Sequence, residues 1–335
     1  MRLLLTAAIA EQYGEAMRQA CASPLELVLA PSTAVQAAAA PVGPIDAAFW
    51  STDLMGAGNK GQPPERLQVF MDLLDAGVGL QWVHTCASGS DRPVLQRLMR
   101  RGVSVTTSTG ANAMAVAHSA TAGLLALARD VPHWIESRQA RRWAPLRGRS
   151  LLADLTQQRA YIVGTGQVGS AISRALRALG LSTVGVRRHS APHADFDELI
   201  SLAQLRQAAA NADWLVLACP LTPATRGLVD AALLAHLKPG AGLVNVARGE
   251  VVDEAALFAA LDRGHLGGVY SDVAVDEPPA PDSPWWTAPR VLLSAHNAGL
   301  STGFAPRTVA MFMDNLARQS RGQALLRVAA PSPDS

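Results

Sequence analysis

The chain has 335 residues, 49% of them hydrophobic and 17% charged, with a formal net charge of +2. It is too apolar for disorder and long for one core, so two α/β lobes are expected, and so small a charge weighs against nucleic acid as a partner. Cys21, Cys86 and Cys219 lack both disulfide and metal-ligand spacing, as for reduced thiols in the cytoplasm, and no metal is expected.

The opening Met1-Arg-Leu-Leu-Leu-Thr-Ala-Ala-Ile-Ala10 is basic and then apolar, as a signal peptide would be. The run is short and passes straight into Glu11-Gln12, so it is assigned to an opening β-strand. Strands are expected at Leu3–Leu5, Leu25–Leu29, Ala47–Trp50, Leu80–His84 and Val103–Val105, with helices near Glu11–Ala20, Pro64–Asp75 and Pro93–Arg100. That alternation implies a parallel sheet covered by helices. The polar, Gly-rich loop Ser51–Gly61 falls where a strand hands over to a helix, at the sheet edge where such folds bind ligands.

A long helix is expected over about Asn112–Arg129. Its apolar part, Ala113–Ala128, carries His118, Ser119 and Thr121, so it suits a buried helix and not a membrane span. The basic stretch Arg138 to Arg149 is expected to be a solvated connector. The alternation then restarts, with strands at Ala160–Val163, Ser182–Val186, Trp214–Leu217, Gly242–Val246, Gly268–Asp272 and Val291–Leu293. Helices include Gln167–Leu179 and Glu254–Leu261, and a last helix, about Thr302–Ser320, precedes a Pro/Ser tail.

Within Ala160-Tyr-Ile-Val-Gly164-Thr165-Gly166-Gln167-Val168-Gly169 lies G-x-G-x-x-G, after a strand and opening a helix. Gly164 permits a tight turn, Gly166 lets a pyrophosphate approach the backbone, and Gly169 lets helix and strand pack closely. The helix N-terminus offers N–H groups to the phosphates. A structural glycine turn would look similar, but both flanks favour dinucleotide binding. The next strand ends at Arg187-Arg188, where a site selective for NAD places a carboxylate for the ribose 2′-hydroxyl. Two guanidinium groups there suit a 2′-phosphate, so NADP(H) is expected as cofactor, with NAD(H) as the alternative.

Three later segments each place a charged or titratable residue after a strand. They are Gly242-Leu-Val-Asn-Val-Ala-Arg248-Gly-Glu, Gly268-Val-Tyr-Ser-Asp272-Val-Ala-Val-Asp-Glu277-Pro278, and Val291-Leu-Leu-Ser-Ala-His296-Asn-Ala-Gly299. With Pro220-Leu-Thr-Pro-Ala-Thr-Arg-Gly227, Ser283-Pro-Trp-Trp286 and Gly110-Ala-Asn-Ala-Met-Ala-Val-Ala117, they make the chain resemble the D-isomer-specific 2-hydroxyacid dehydrogenases over nearly its whole length. Within that family it looks most like an NADP-type glyoxylate/hydroxypyruvate reductase. The resemblance implies two Rossmann-like or flavodoxin-like lobes with parallel sheets and an active site in the cleft between them. Residues 1–104 plus 298–335 would form the substrate-binding lobe and 105–297 the dinucleotide-binding lobe, with two connecting helices as a hinge. A homodimer is implied through the cofactor domains, and the apolar circumference of Asn112–Arg129 points the same way.

The resemblance also implies roles. His296 would exchange a proton with the substrate oxygen, and Glu277 would hold its ring and stabilise the imidazolium. Arg248 would bind the substrate carboxylate and polarise the carbonyl, with backbone N–H groups near Ser88 and Gly89 sharing the carboxylate. Asp272 and the Ala247 backbone would hold the nicotinamide carboxamide, and Cys219, Pro220 and Thr225 would line the cofactor site. Taken singly, each residue could be merely structural, as His84, His118, His133, His236 and His265 are expected to be. The conjunction, in order and spacing, is what carries the assignment.

The chain departs from the family pattern at His118, where Glu is usual, at Asn297, where an apolar residue is commoner, and at Trp285, which adds aromatic bulk beside Trp286. Formate or phosphite oxidation is a competing activity, but formate dehydrogenases of this type carry an amide where Glu277 stands. A reading of another class is a dinucleotide-sensing binding protein of the corepressor type. It would need extra binding surface or disordered extensions, where this sequence carries only a short tail.

Overall fold

Strands buried on both faces favour apolar side chains at every position, and Ala47–Trp50 and Trp214–Leu217 are apolar and buried throughout. The computed structural model describes residues 1–39, 42–56, 63–146, 152–188 and 192–331. Residues 57–61 of the expected loop, 147–149 of the arginine stretch, His189 and Ser190, and the end of the tail lie outside the described residues.

The chain divides into two units, Met1–Ala111 with Ser301–Ser335, and Asn112–Leu300. In the first, β1 (Arg2–Leu5), β2 (Glu26–Leu29), β3 (Ala47–Trp50), β4 (Trp82–Thr85) and β5 (Ser104–Thr107) form a parallel sheet in the order β2-β1-β3-β4-β5. Helices α1 (Ala7–Ala20), α2 (Ala34–Ala39), α3 (Glu65–Ala76) and α4 (Pro93–Arg100) connect these strands. Thr6 caps α1 by accepting from the Ile9 N–H at 3.3 Å, so the helix starts at Ala7, one turn before the expected start near Glu11. Arg327–Ala329 returns beside β5, with Thr107 N–H bonded to Arg327 O and Ala329 N–H to Val105 O. The family resemblance places the first lobe boundary at 104/105. The ladder of β5 with β4 keeps this strand in the first unit, whose boundaries fall at 111/112 and 300/301.

The second unit opens with α5 (Ala113–Ala128) and α6 (Val131–Gln139). It continues through β6 (Arg159–Val163), α7 (Gln167–Ala178), β7 (Ser182–Arg187), β8 (Glu198–Ser201), α8 (Leu205–Ala208), β9 (Trp214–Leu217) and α9 (Ala231–His236). It ends with β10 (Ala241–Asn245), α10 (Glu254–Asp262), β11 (Leu266–Ser271) and β12 (Val291–Leu293), while α11 (Phe304–Ser320) belongs to the first unit. Among the described residues its seven strands are all parallel, in the order β12-β11-β10-β9-β6-β7-β8. The order reverses between β6 and β9, and in such sheets the crevice beyond the carboxyl ends at that point is where ligands bind. Arg138 lies in α6 and not in a connector. Helix α5 is apolar on most sides because α6, α7, β10 and β11 all pack on it, leaving Met114, His118 and Ala122 exposed.

In the first unit the Phe312 ring of α11 stacks on Phe49 at 4.2 Å and Trp82 at 5.4 Å between centroids. Such pairs contribute about 0.5–1.5 kcal/mol each beyond area burial, which binds the late helix to the early strands. Among the described residues no helix is long and apolar enough to cross a membrane.

Candidate active site

The glycine turn follows β6 at the reversal of strand order. Gly164 has φ 101°, a region that favours glycine. A Cβ on Gly169 would lie 1.8 Å from Gly164 O, so only glycine lets α7 start so close to the strand. At Gly166, which caps α7, a Cβ would meet nothing within 4 Å, so the backbone faces open space. The first-turn N–H groups of Gln167, Val168 and Gly169 have no acceptor within the helix by its geometry. An open backbone at the positive end of a helix fits the pyrophosphate of a nicotinamide dinucleotide. Arg187, half-buried, ends β7 and Arg188 is exposed after it; among the described residues neither has an acidic partner within 4.0 Å.

Beyond β9, Cys219 is buried and Pro220 exposed. Burial pushes the Cys219 thiol up to about 11, so it is no thiolate near neutrality. The Thr225 hydroxyl donates to Pro220 O at 2.7 Å and accepts from Thr222 N–H at 2.8 Å. It closes its own loop, beyond the role expected of it.

Beyond β10, Asn245 shapes the next turn. Its amide donates to Arg248 O, its carbonyl accepts from Ala247 N–H, and the Arg248 guanidinium donates to Ala247 O at 2.8 Å. A Cβ on Gly249 would sit 2.1 Å from the Ala274 carbonyl carbon, so the turns carrying Arg248 and Glu277 pack directly together.

Beyond β12, the His296 backbone adopts a left-handed φ of 54°, and Glu277 Oε2 lies 2.8 Å from its Nδ1. No described group bonds Nε2, and the ring is partly exposed, so Nε2 is the nitrogen left for proton transfer. Asp272, buried at the end of β11, holds this loop. Its carboxylate accepts from the Ser294 hydroxyl at 2.6 Å, Asn297 N–H at 2.8 Å and Ala298 N–H at 3.0 Å, while its backbone O accepts from His296 N–H. A left-handed non-glycine costs roughly 1–3 kcal/mol. Hydrogen bonds to a charged acceptor contribute about 1.5–3 kcal/mol each, so the tethers outweigh the strain. Burial pushes the Asp272 carboxyl up from its ordinary range, against these donors and the His296 charge. Ser294, Asn297 and Ala298 all reach Oδ1, while Oδ2 is met among the described residues by Ala298 N–H alone, at 3.0 Å, so Oδ2 is the oxygen with room for the expected carboxamide.

The structure therefore joins Asp272, Glu277 and His296 in one assembly, with Ala247 and Arg248 on the turn beside Glu277. Ser88, exposed, and Gly89 follow β4 in the first unit. Asn245, Ser294, and Glu254, whose carboxylate accepts from Val275 N–H at 2.7 Å, were not foreseen; Ser294 and Glu254 meet partners more than twenty residues away, whereas Asn245 binds Ala247 and Arg248 within its own turn, a local pattern open to a sequence reading. Trp285, expected beside the active site, packs into the core against Phe258 at 5.1 Å, and exposed Trp286 donates to Ala280 O. His118 is exposed on α5 and Asn297 exposed beside His296.

Residues 121–298, within the second unit, match the family model described as D-isomer specific 2-hydroxyacid dehydrogenase, NAD binding domain. An uncharacterized protein in the mprR 3′ region of Streptomyces coelicolor is 37% identical over 67% of this chain and 79% of its own length. The glyoxylate reductase/hydroxypyruvate reductase of Mus musculus is 31% identical over 77% of this chain and 80% of its own. A family protein from Aeromonas salmonicida superposes with a TM-score of 0.81 at 27% identity over 99% of both chains. One from Xanthobacter autotrophicus, in complex with NADPH and MES, gives 0.74 at 26% identity over 98% of both. The chain belongs to the D-isomer specific 2-hydroxyacid dehydrogenase family, and is an oxidoreductase of that type using a nicotinamide dinucleotide.

Proposed function

We propose that the protein reduces a small 2-oxo acid, of the glyoxylate or hydroxypyruvate kind, to its D-2-hydroxy acid with NADPH. The observation that carries this is the Glu277–His296 hydrogen bond of 2.8 Å on a loop tied to Asp272. The bound dinucleotide supplies the hydride that reaches C2. As charge develops on the substrate oxygen, His296 Nε2–H gives it a proton, and Glu277 keeps the ring oriented before and after. Arg248 takes the carboxylate in a two-point grip that an ammonium could not reproduce, and Ser88 and Gly89 N–H groups share it. Asp272 and the Ala247 backbone hold the carboxamide, and Gly164–Gly169 hold the pyrophosphate. Arg187 and Arg188 receive the 2′-phosphate; their lack of acidic partners among the described residues supports this, as does the NADPH held by the Xanthobacter relative. The protein acts as a homodimer, a reading supported by exposed Trp134, Ile135 and Trp143 on α6 and the turn beyond it.

Steady-state kinetics with glyoxylate, hydroxypyruvate, pyruvate and phenylpyruvate test the reading. NADPH gives the higher kcat/KM, and Arg187→Asp moves preference toward NADH. His296→Asn lowers kcat by about 10²–10⁴-fold while NADPH binding persists. Full kcat in that variant removes His296 from the chemistry, and no turnover at all in the unmodified protein returns the corepressor-like reading.

A further inference from the structure

The fully buried side chain His84 of β4 lies outside everything assigned so far, and both its ring nitrogens are engaged. Nδ1 is 2.8 Å from Thr106 Oγ1 and Nε2 is 3.0 Å from Ser108 Oγ. The neighbours decide which nitrogen carries the proton. Trp82 Nε1–H can only donate, and it donates to Thr106 Oγ1 at 2.8 Å. The Thr106 hydroxyl proton is then free to go to His84 Nδ1. At the other end, Ser108 Oγ has one proton, and Thr85 O lies 3.1 Å away as its acceptor. If His84 Nε2 carries the hydrogen, Ser108 receives from it and passes its own proton to Thr85 O, and every group is paired. With the hydrogen on Nδ1, the Thr106 proton loses its acceptor and Ser108 must choose between two. A protonated ring is opposed by burial and by the charge of Arg327, which push the group down to about 3.

The relay ends on the turn after β4. Ser108 N–H also reaches Thr85 O and Ala87 O, both at 3.0 Å, and Thr109 Oγ1 donates to Ser88 O at 2.9 Å. A trans peptide is planar, with its C=O and N–H on opposite sides. Fixing the Ala87 and Ser88 carbonyls toward Ser108–Thr109 therefore turns the next two N–H groups, those of Ser88 and Gly89, away from that segment and to one side. We propose that His84, held as the neutral Nε2–H tautomer, is a positioning residue that sets this turn through Ser108, and so aims the two N–H groups at the substrate carboxylate. The proposal rests on the carboxylate role given to Ser88 and Gly89 above.

Two measurements test it. NMR of protein labelled with ¹⁵N-histidine, assigned by the loss of one spin system in His84→Gln, reads the tautomer directly. The expected pattern is Nε2–H, unchanged over roughly pH 5–8, the range in which ordinary histidines titrate. An Nδ1–H ring, or protonation within that range, overturns the proposal. Glutamine carries one acceptor and one donor near its tip and can replace both ring contacts, whereas methionine can replace neither. His84→Gln is expected to keep KM for the oxo acid within about twofold, while His84→Met raises it about tenfold, with kcat and NADPH affinity little changed. If His84→Met fails to fold, Ser108→Ala breaks the same relay with a smaller change. Equal KM values for the disrupted and the glutamine variants overturn the positioning role. Absence of turnover in the unmodified protein defeats the proposed function and the carboxylate grip together, while the tautomer is still read by NMR.

Discussion

His84 also places a pH dependence on stability. Burial, with Arg327 nearby, pushes its imidazole from 6.5 to about 3. Between those values the unfolded chain binds a proton that the folded chain refuses. Its contribution is therefore complete above 6.5 and is lost as pH falls from 6.5 toward about 3. Each pH unit inside that window costs about 1.4 kcal/mol. Urea denaturation at about pH 7 and pH 5 should show the native chain losing about 2 kcal/mol more than His84→Gln, which cannot titrate. Equal losses in the two proteins would count against a neutral buried ring. Asp272 shows the opposite management of burial. Its carboxyl is pushed up, but three donors from the His296 loop surround it, so the cost of burying it supports the geometry of the proton donor.

At the scale of elements, the β6–α7 turn separates what the fold requires from what a ligand requires. Gly169 has no room for a methyl group, because Gly164 O would lie 1.8 Å away. Gly166 has all the room it needs, with φ −78° that any residue tolerates. Gly169→Ala should therefore lower the melting temperature by several degrees or more, as expected for a loss of roughly 1–3 kcal/mol by overpacking. Gly166→Ala should leave melting unchanged yet weaken NADPH binding about tenfold or more, because its methyl occupies the space a pyrophosphate needs. Calorimetry and fluorescence titration of both variants read the two effects separately. Tight NADPH binding by Gly166→Ala would move the phosphates elsewhere.

At the scale of the molecule, Trp143 is 95% exposed and Trp134 53%, an arrangement costly for a monomer in water. Light scattering at micromolar concentration should give a mass near twice the 35.1 kDa of one chain, and Trp134→Glu should reduce it. A monomer mass for the unmodified protein would remove the homodimer.

Much of the architecture was legible in the sequence, because strands buried on both faces are written as local apolar runs. Ala47–Trp50, Trp214–Leu217 and Val291–Leu293 were located at their observed bounds, as was α4 with Pro93 at its first turn. The glycine turn and the titratable residues after β10, β11 and β12 were legible too, since a parallel sheet delivers every such position to one edge. Helices α2 and α6 and strand β8 were missed: they are short or weakly periodic, and their neighbours in space stabilise them. The first boundary was set too early, because only the pairing of β5 with β4, and of the chain end with β5, assigns that strand to the first unit. Neither the grip of Asp272 on the His296 loop nor the relay through His84 was legible, since each joins residues more than twenty positions apart. Local sequence determines the type and direction of an element through its own periodicity. Which side chains meet across elements depends on strand register and turn geometry, and those exist only once the chain has packed.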